Sequence, residues 1–332
     1  MKIAIATDAW APQVNGVVTT LKQTRDELRR QGHDVLMITP EGHRTIPCPT
    51  YPEIRLALFA GKKIAHDLET FNPDWIHIAT EGSIGLAVRR YCRKRGLNFT
   101  TAYHTQFPEY VRARAPIPIE WTTAMLRWYH GRGTRMMVPT PSIQNMLRER
   151  GFQNVVIWSR GVHTEQFLPT EAFEYGLPRP IWINMGRVSV EKNIEQFLGL
   201  DLPGSKVVIG DGPDMNRLRN RYPEAHFLGY KFGRDLSAHL AGADVFVFPS
   251  KTDTFGLVML EAMACGLPIA AYPVTGPIDV VKHGLTGVLS HNLERACRDA
   301  LVIDRKACRA YAENHSWEYS TRQFVSHMAP IH

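Results

Sequence analysis

Two acidic residues, Asp253 and Glu261, stand eight positions apart in the segment PSKTDTFGLVMLEAMACGLP, and the stretch between them is mostly apolar. The pattern predicts a buried strand, an exit loop with Asp253, and a helix that carries Glu261 one or two turns inside it. The N–H groups of Thr254 to Leu257 would then lie at a helix N-terminus, which favours an anion. The two acids could accept hydrogen bonds from hydroxyl groups on either side of a diphosphate. A helix-capping Asp and a salt-bridged Glu are the alternative.

Two cations follow another predicted strand in the segment GRVSVEKN. Arg187 and Lys192 can converge from a loop and the start of a helix, and together they would neutralise a leaving diphosphate. Gly186 at the end of the strand favours this interpretation over a solvated pair of surface charges, which is the usual state of Arg and Lys.

Polar residues also follow predicted strands in the first half of the chain. Asn15 and Gly16 precede a helix, where a glycine allows close approach of the backbone to an anion, although a plain turn is an equal alternative. Glu81 is expected either to meet an acceptor or to cap the next helix. The position of His104 at a strand end favours a ligand-facing histidine over a core histidine.

Short β-branched runs alternate with amphipathic segments along the chain, which is typical of parallel sheets covered by helices. One set of strands is predicted in the first half, at 2–7, 34–39, 75–79, 99–103, 134–138 and 155–157. A second set follows, at 180–188, 205–212, 225–230, 243–250, 267–272 and 287–290. The sequence therefore predicts an α/β protein with two doubly wound domains, joined by a linker at 159–180 rich in Pro and Gly. Ligands bind beyond the carboxyl ends of parallel strands, so the two sheets are expected to face each other across a cleft.

The composition is that of a globular protein, with 332 residues, 44% hydrophobic and 21% charged. The opening MKIAIATDAW reads as a strand and not as a signal peptide, and no apolar run approaches the roughly 20 residues of a membrane-spanning helix. We therefore expect a cytoplasmic chain. The five cysteines are scattered without the spacing of a zinc site, which favours small buried side chains in a reducing compartment.

The net charge of +7 is unevenly placed. Residues 1–160 contain 22 Lys and Arg against 13 Asp and Glu, whereas residues 161–332 contain 17 against 19. The excess of +9 in the first half predicts an anionic partner for that domain, such as lipid headgroups or nucleic acid, with ordinary surface solubility as the alternative.

The segments NGV, GRVSVEKN, DTFGLVMLEAMACGLP and SWEYSTRQF resemble those of the retaining, nucleotide-sugar-dependent glycosyltransferases of family 4, which have the GT-B fold. The resemblance extends over essentially the entire chain. The E-x7-E signature of the family stands here as Asp253-x7-Glu261, with the first acid one methylene shorter. The resemblance implies an N-terminal acceptor-binding domain at 1–160 and a C-terminal nucleotide-sugar-binding domain at 161–312. Residues 313–332 would form a helix that crosses back to the first domain.

The resemblance also implies roles for the candidate residues. Glu261 would bind the ribose hydroxyls, and Arg187 and Lys192 would stabilise the departing diphosphate. Asp253, with the amides of Phe255, Gly256 and Leu257, would hold the transferred sugar and the phosphates. Gly16 would approach the diphosphate from the other domain and His104 would touch the donor sugar, while Asn15 and Glu81 are predicted acceptor contacts. In this family the departing phosphate oxygen takes the proton of the acceptor, so charge stabilisation matters more than a strong base. A D-x-D motif is absent from the sequence, so neither a metal nor another cofactor is expected.

The segments PSKTDTFGLVMLEAMACGLPIAAYPVTGP and HIATEGSIG are similar to those of bacterial diacylglycerol glycosyltransferases and sulfoquinovosyl-diacylglycerol synthases. Transfer from a UDP-sugar to diacylglycerol is therefore the leading prediction, at the inner face of the cytoplasmic membrane. Within the basic first half, Trp121, Met125, Trp128 and Tyr129 fall at helical spacing with arginines nearby, a mixture suited to a membrane interface.

Other classes of protein fit the sequence less well. An NAD-dependent oxidoreductase should show G-x-G-x-x-G after an early strand, and neither half does. A nucleic-acid-binding module would leave the acids and cations of the second half unexplained, so no nucleic-acid partner is predicted. The main alternative is a GDP-mannose-dependent mannosyltransferase with another lipid-linked or soluble acceptor.

Overall fold

The computed structural model describes residues 1–48, 51–112 and 117–332. These divide into two compact units. The N-terminal unit contains residues 1–159 and 317–332, and the C-terminal unit contains residues 160–316. Each unit is built around a six-stranded sheet in which all neighbouring strands are parallel.

The N-terminal unit alternates strands with helices. Its strands are β1 (Lys2–Ala6), β2 (Asp34–Ile38), β3 (Thr45–Cys48), β4 (Tyr51–Ala57), β5 (Trp75–Ile78), β6 (Thr100–Ala102), β7 (Arg135–Val138) and β8 (Val155–Ile157). Its helices are α1 (Gly16–Arg30), α2 (Gly61–Phe71), α3 (Ser83–Arg95), α4 (Phe107–Arg112), α5 (Ile119–His130) and α6 (Pro141–Glu149). The main sheet has the order β2-β1-β5-β6-β7-β8, so the strand order reverses between β1 and β5. Ligands of doubly wound sheets bind at such a reversal.

Local sequence signals set the helix ends in this unit. Asn15 caps α1, because its side-chain oxygen accepts hydrogen bonds from the N–H groups of Val17 and Val18, both at 3.0 Å. Gly96 ends α3 in the left-handed conformation, with φ +68°. Asn15 and Gly96 therefore mark the start of α1 and the end of α3.

The C-terminal unit repeats the same plan. Its strands are β9 (Ile181–Met185), β10 (Ser205–Ile209), β11 (His226–Phe227), β12 (Val245–Phe248), β13 (Ile269–Ala271) and β14 (Gly287–Leu289). Its helices are α7 (Ile194–Leu198), α8 (Met215–Arg221), α9 (Gly233–Gly242), α10 (Leu257–Ala264), α11 (Pro277–Val280), α12 (Leu293–Ala300) and α13 (Arg305–Glu313). The order β11-β10-β9-β12-β13-β14 reverses between β9 and β12. The exit loops of these two strands carry the predicted donor-binding residues.

The last helix, α14 (Trp317–His327), belongs to the N-terminal unit and packs against α1. Phe324 of α14 is fully buried with Trp158, whose indole N–H donates to Ser320 Oγ at 3.2 Å. The end of the chain also contacts the start of the central strand β5, since Ile331 N donates to Asp74 O at 3.1 Å.

Each predicted strand of both sheets is present, but the strands are up to four residues shorter than predicted. The antiparallel hairpin of β3 and β4 was not predicted from the sequence. The pairing of β3 with β4 shifts register between Pro47 and Cys48. Proline is confined to edge strands and bulges, so a strand that contains it is difficult to predict from the sequence. Among the described residues, no helix is both long enough and apolar enough to cross a membrane.

Candidate active site

The centre of the candidate site is an ion pair at the strand reversal of the C-terminal unit. Lys192 Nζ lies 2.5 Å from Asp253 Oδ1, and the two side chains are 28% and 15% exposed. The other oxygen, Asp253 Oδ2, is buried and accepts no hydrogen bond from the described residues. The pair therefore retains an unsatisfied acceptor where a ligand hydroxyl could donate.

Backbone contacts hold the two partners of this ion pair together. Lys192 ends a short 3₁₀ turn (Val190–Lys192) after β9, and Asp253 lies in the loop after β12. Asn193 Nδ2 donates to Pro249 O at 3.0 Å, and the hydroxyls of Ser250 and Thr252 both donate to a carbonyl of the turn. These hydrogen bonds join the two loops and hold Lys192 next to Asp253 in the absence of a ligand.

The first turn of α10 provides free backbone donors beside the ion pair. No described residue accepts a hydrogen bond from the N–H groups of Phe255, Gly256 and Leu257. Helix N-termini with free N–H groups favour phosphate through hydrogen bonding and the helix dipole. This arrangement is the one predicted from the sequence, and it lies beside a cation.

Gly256 is required by the geometry of this turn. Its φ is +83°, and an added Cβ would lie 2.7 Å from Met259 Cε and 3.0 Å from Phe248 Cζ. A larger residue would strain the backbone and also displace core side chains. The glycine noticed in the sequence therefore shapes the turn that presents the free amides.

Glu261 lies on the second turn of α10 and is half-buried. Its neighbours Leu260 and Ala262 are fully buried, and its carboxyl group receives no hydrogen bond from the described residues. Burial raises the pKa of Glu261 to about 7. A carboxyl group kept in this state without a partner is costly to the fold and is typical of a functional site.

Arg187 is half-buried and lies two residues beyond the end of β9. The loop that carries it packs closely against the loop after β10, because a Cβ on Gly210 would collide with the carbonyl of Gly186. Val188 N also donates to Asp211 O at 3.0 Å. Glycines at these two strand ends hold the Arg187 loop at the carboxyl edge of the sheet.

In the N-terminal unit, the predicted anion site at the start of α1 is partly occupied by its own cap. Asn15 uses its side-chain oxygen on two of the first amides of the helix, and its Nδ2 donates to Gln13 Oε1 at 3.2 Å. Both Asn15 and Gly16 are exposed. The capping role of Asn15 is therefore explicit in the structure.

Glu81 does not cap α3. His130, which is fully buried, places Nε2 3.2 Å from Glu81 Oε1 and Nδ1 2.9 Å from Thr101 Oγ1. The carboxylate of Glu81 remains 26% exposed at the edge of the sheet. The structure therefore rules out capping of α3 by Glu81 and places its carboxylate against His130, while contact with an acceptor stays a prediction.

The cap of α3 is instead Asp8, directly after β1. Its carboxylate accepts hydrogen bonds from Ser83 Oγ at 2.9 Å and from the N–H groups of Ile84 and Gly85 at 2.8 and 3.2 Å. Burial raises the pKa of Asp8, although these hydrogen bonds act in the opposite direction. Neither Asp8 nor His130 was predicted from the sequence, although Asp8 follows a predicted strand as the other polar candidates do.

His104 is half-buried and lies two residues after the end of β6, at the carboxyl edge of the sheet of the N-terminal unit. Its ring meets the ring of Trp158 edge-on, with the centroids 5.8 Å apart. Trp158 is in turn packed on Phe324. The histidine is thus fixed by aromatic packing while part of it stays exposed.

The structure brings together Lys192, Asp253, the start of α10 and, one turn further, Glu261. It places Glu81 and His104 at the carboxyl edge of the other sheet, in the N-terminal unit. In the described part of the chain, no three His, Cys, Asp or Glu side chains are grouped as metal ligands.

Known protein families match both units of the chain. The glycosyltransferase family 4 model matches residues 14–166, and the glycosyl transferases group 1 model matches residues 181–302. A GDP-mannose-dependent alpha-mannosyltransferase of Mycolicibacterium smegmatis is 31% identical, with 87% of this chain and 84% of the relative covered. The sulfoquinovosyl transferase SQD2 of Arabidopsis thaliana is 30% identical over 89% of this chain, which spans 66% of that relative. The alpha-monoglucosyldiacylglycerol synthase of Streptococcus pneumoniae is 25% identical, covering 91% of this chain and 78% of the relative.

Among solved structures, sucrose-phosphate synthase from Thermosynechococcus elongatus aligns with a TM-score of 0.81 at 20% identity. The alignment covers 98% of this chain and 97% of the other. This likeness shows the GT-B fold. Together with the family matches and the relative at 31% identity, it establishes that the chain belongs to the family 4 glycosyltransferases.

Proposed function

We propose that this chain transfers a hexosyl residue from a nucleotide-diphosphate sugar to a lipid acceptor at a membrane surface, with retention of anomeric configuration. The observation that carries the donor half is the placement of Lys192, Asp253 and the free amides of α10 at one strand reversal. A cation and free backbone donors are suited to a diphosphate, whereas the adjacent acids are suited to sugar hydroxyls.

In this proposal each group has a defined role. The amides of Phe255, Gly256 and Leu257 hold the phosphates, and Lys192 and Arg187 stabilise the charge that develops on the departing diphosphate. Asp253 accepts from a hydroxyl of the transferred sugar, and Glu261 accepts from the ribose hydroxyls. From the N-terminal unit, Gly16 supplies a backbone N–H to the diphosphate and His104 contacts the donor sugar, while Asn15 and Glu81 meet the acceptor.

The proposed chemical step needs no strong base. The acceptor oxygen bonds to the anomeric carbon on the face from which the diphosphate departs. The proton of the acceptor hydroxyl moves to the departing phosphate oxygen as the bond from that oxygen to the sugar breaks. Positive charge at Lys192 and Arg187 lowers the barrier because it is fixed in place before the reaction.

GDP-mannose is the first donor to test. The mannosyltransferase relative has a higher sequence identity to this chain, 31%, than the monoglucosyldiacylglycerol synthase, 25%. The alignment also covers more of the mannosyltransferase, 84%, than of the sulfoquinovosyl transferase, 66%. A UDP-sugar, the donor favoured by the resemblance of the sequence motifs, is the second candidate. Titration calorimetry with GDP and UDP distinguishes the two. We expect GDP to bind at least tenfold more tightly, and tighter binding of UDP would reverse the choice of donor.

The lipid half of the proposal depends on α5 of the N-terminal unit. Trp121, Met125 and Trp128 are 73%, 46% and 54% exposed and fall at i, i+4 and i+7, so they form one apolar stripe on the surface. Tyr129, which was predicted to belong to this stripe, is buried instead. It lies at the border between the stripe and the buried face of α5, where its hydroxyl donates to Thr80 O at 2.9 Å.

Arginines lie beside this stripe. The guanidinium of Arg89 stacks on the ring of Trp128 at 4.0 Å. The pKa of Arg89 is lowered most by burial and further by the nearby positive charges of Arg93, Arg132 and Arg90. These three arginines are exposed. Exposed tryptophans next to several arginines suit the headgroup region of an anionic bilayer. Large exposed apolar side chains in a row are otherwise unfavourable in water.

Replacing Trp121 and Met125 with serine is expected to weaken binding to vesicles that contain anionic lipid by about tenfold or more. Burying even part of these side chains contributes on the order of 2 kcal/mol. Trp128 is left in place because Arg89 stacks on it. Co-sedimentation with vesicles measures the effect, with Val302→Ser, an exposed apolar position of the C-terminal unit, as the control. Equal binding by both variants and the wild type would contradict a role for the α5 stripe.

The positive charge that the diphosphate requires is supplied in this proposal by side chains. We therefore expect turnover to be unchanged in excess chelator. The assay compares initial rates with chelator alone and with chelator followed by excess magnesium or manganese. A rate that falls in chelator and recovers with either ion would show that a metal supplies part of that charge.

A further inference from the structure

A second polar cluster lies in the N-terminal unit, beyond the carboxyl end of β6. Five buried side-chain atoms there have no hydrogen-bond partner among the described residues: Tyr103 Oη, Gln106 Nε2, Glu109 Oε2, Thr123 Oγ1 and Arg150 Nη1. Buried polar atoms are usually satisfied, so several orphans from one part of a fold indicate a ligand or internal water. We call these five residues the β6 cluster.

Contacts and charges link the members of the cluster. Glu109 Oε1 lies 2.7 Å from Arg150 Nη2 and forms an ion pair with it. The other carboxylate oxygen, Glu109 Oε2, and the other guanidinium nitrogen, Arg150 Nη1, have no hydrogen-bond partner among the described residues. Both charged groups act on the pKa of Tyr103. Burial raises this pKa most, the negative charge of Glu109 raises it further, and the positive charge of Arg150 lowers it. Gln106 immediately precedes α4, and Thr123 lies on the buried face of α5, which packs against α4.

We propose that the β6 cluster binds hydroxyl groups of a sugar or polyol head group on the acceptor, which therefore already carries such a group before transfer. The inference rests on the proposed function and specifies its acceptor. A vicinal diol can accept from Arg150 Nη1 and donate to Glu109 Oε2, and Tyr103 can do either. Diacylglycerol has a single free hydroxyl and would leave most of these atoms unsatisfied.

The signs of the charges disfavour a simple anion or a simple cation as the ligand. A phosphate or carboxylate at this position would face the oxygen of Glu109, and a cation would face Arg150. Neutral hydroxyl groups are both donors and acceptors, so they match both partners of the ion pair. The side chains of Glu109 and Arg150 are 20% and 27% exposed, so the ion pair lies at the surface of the unit, while its two unpartnered atoms are covered and become accessible only when these side chains move.

The position of α5 fits a lipid that carries a head group. One face of this helix bears the exposed stripe of Trp121, Met125 and Trp128, while its buried face contributes Thr123 to the cluster. A bilayer in contact with the stripe would therefore hold its head groups close to the helix that lines the cluster. The lipid tails of a glycolipid acceptor would lie on the side of the exposed face of α5, and its head group would lie on the side of the buried face.

The first test measures binding without turnover. Saturation-transfer NMR with methyl α-D-glucopyranoside is expected to show binding to the wild type and at least a fivefold weaker signal for Tyr103→Phe. Removing an unpartnered buried hydroxyl should not harm the fold, so a merely structural Tyr103 predicts unchanged or higher stability and an unchanged signal. Tyr91→Phe, on α3 of the same unit, is the matched control. No signal with the wild type, or equal signals for all three proteins, would overturn the proposal and leave internal water as the explanation.

The second test measures transfer with the donor that calorimetry selects, to vesicles containing either diacylglycerol or monohexosyl-diacylglycerol. We expect kcat/KM at least tenfold higher for the glycosylated lipid, and a raised KM for that lipid in Tyr103→Phe and Glu109→Gln with an unchanged nucleotide Kd. Arg148→Leu, an exposed arginine on α6, is the control. Equal use of both lipids with unaffected variants would overturn the inference while keeping the proposed function. No lipid product at all, with glycoside binding still dependent on Tyr103, would keep the cluster and refute the lipid acceptor.

Discussion

Replacing Lys192 with methionine is expected to lower kcat by about 10²–10³-fold, the usual loss when one preorganised charge at a reacting centre is removed. Methionine keeps most of the length of the side chain and removes only its charge. The ion pair with Asp253 shows that the lysine is already fixed at the strand reversal. Its loss also leaves the carboxylate of Asp253 facing the site of the diphosphate, which adds repulsion to the lost attraction.

The measurement is steady-state turnover at saturating donor, with circular dichroism to confirm that the variant is folded. Lys306→Met, an exposed lysine on α13, is the matched control and should retain the wild-type rate. A Lys192→Met enzyme with more than about a third of the wild-type kcat would show that this cation does not stabilise the departing group.

Replacing Glu261 with glutamine is expected to stabilise the protein while impairing its use of donor. Burial raises the pKa of Glu261 from the ordinary 4.5 to about 7, so ionising this group inside the fold costs about 3 kcal/mol. Glutamine has nearly the same shape and carries no charge. We expect a gain of about 1–3 kcal/mol in the free energy of unfolding at pH 8, with KM for the donor raised about tenfold or more because one acceptor for the ribose hydroxyls is lost.

The pH dependence separates this effect from ordinary repacking. The folded state holds the proton of Glu261 more tightly than the unfolded state, so the wild type is most stable relative to the variant below about pH 4.5. It loses that advantage as the pH rises through about 7. The difference in stability between the variant and the wild type should therefore be small at pH 4.5 and largest above pH 7. Denaturant titrations at several pH values measure it, and a difference that does not change with pH would contradict an ionised, unpaired Glu261.

Much of the fold could be predicted from the sequence because β-branched runs and glycines mark the strands and helix ends directly. The run from Val245 to Phe248 and the left-handed Gly96 are examples. The placement of Lys192 and Asp253 side by side was also predictable, because both follow strands whose carboxyl ends meet at one edge of the sheet.

Contacts between distant segments could not be read in the same way. His130 reaches Glu81 across 49 positions, and Arg150 meets Glu109 across 41, so neither pair has a local pattern. Burial of one helix face was equally hidden: spacing alone placed Tyr129 with Trp128, whereas packing turned it inward. The unpartnered state of Glu261 depends on every neighbour of α10 and is visible only once the core is assembled.

The most direct test of the proposed function is mass spectrometry of the lipid fraction after the protein is incubated with a nucleotide sugar and lipid vesicles. GDP-mannose, UDP-glucose, UDP-galactose and UDP-glucuronate are offered separately, with Lys192→Met as the blank. We predict a lipid that has gained one or more hexosyl groups with the wild type and at most a trace with the variant. Release of nucleotide with no glycosylated lipid under any condition would contradict the lipid acceptor, and no turnover of any donor would contradict the proposed activity itself.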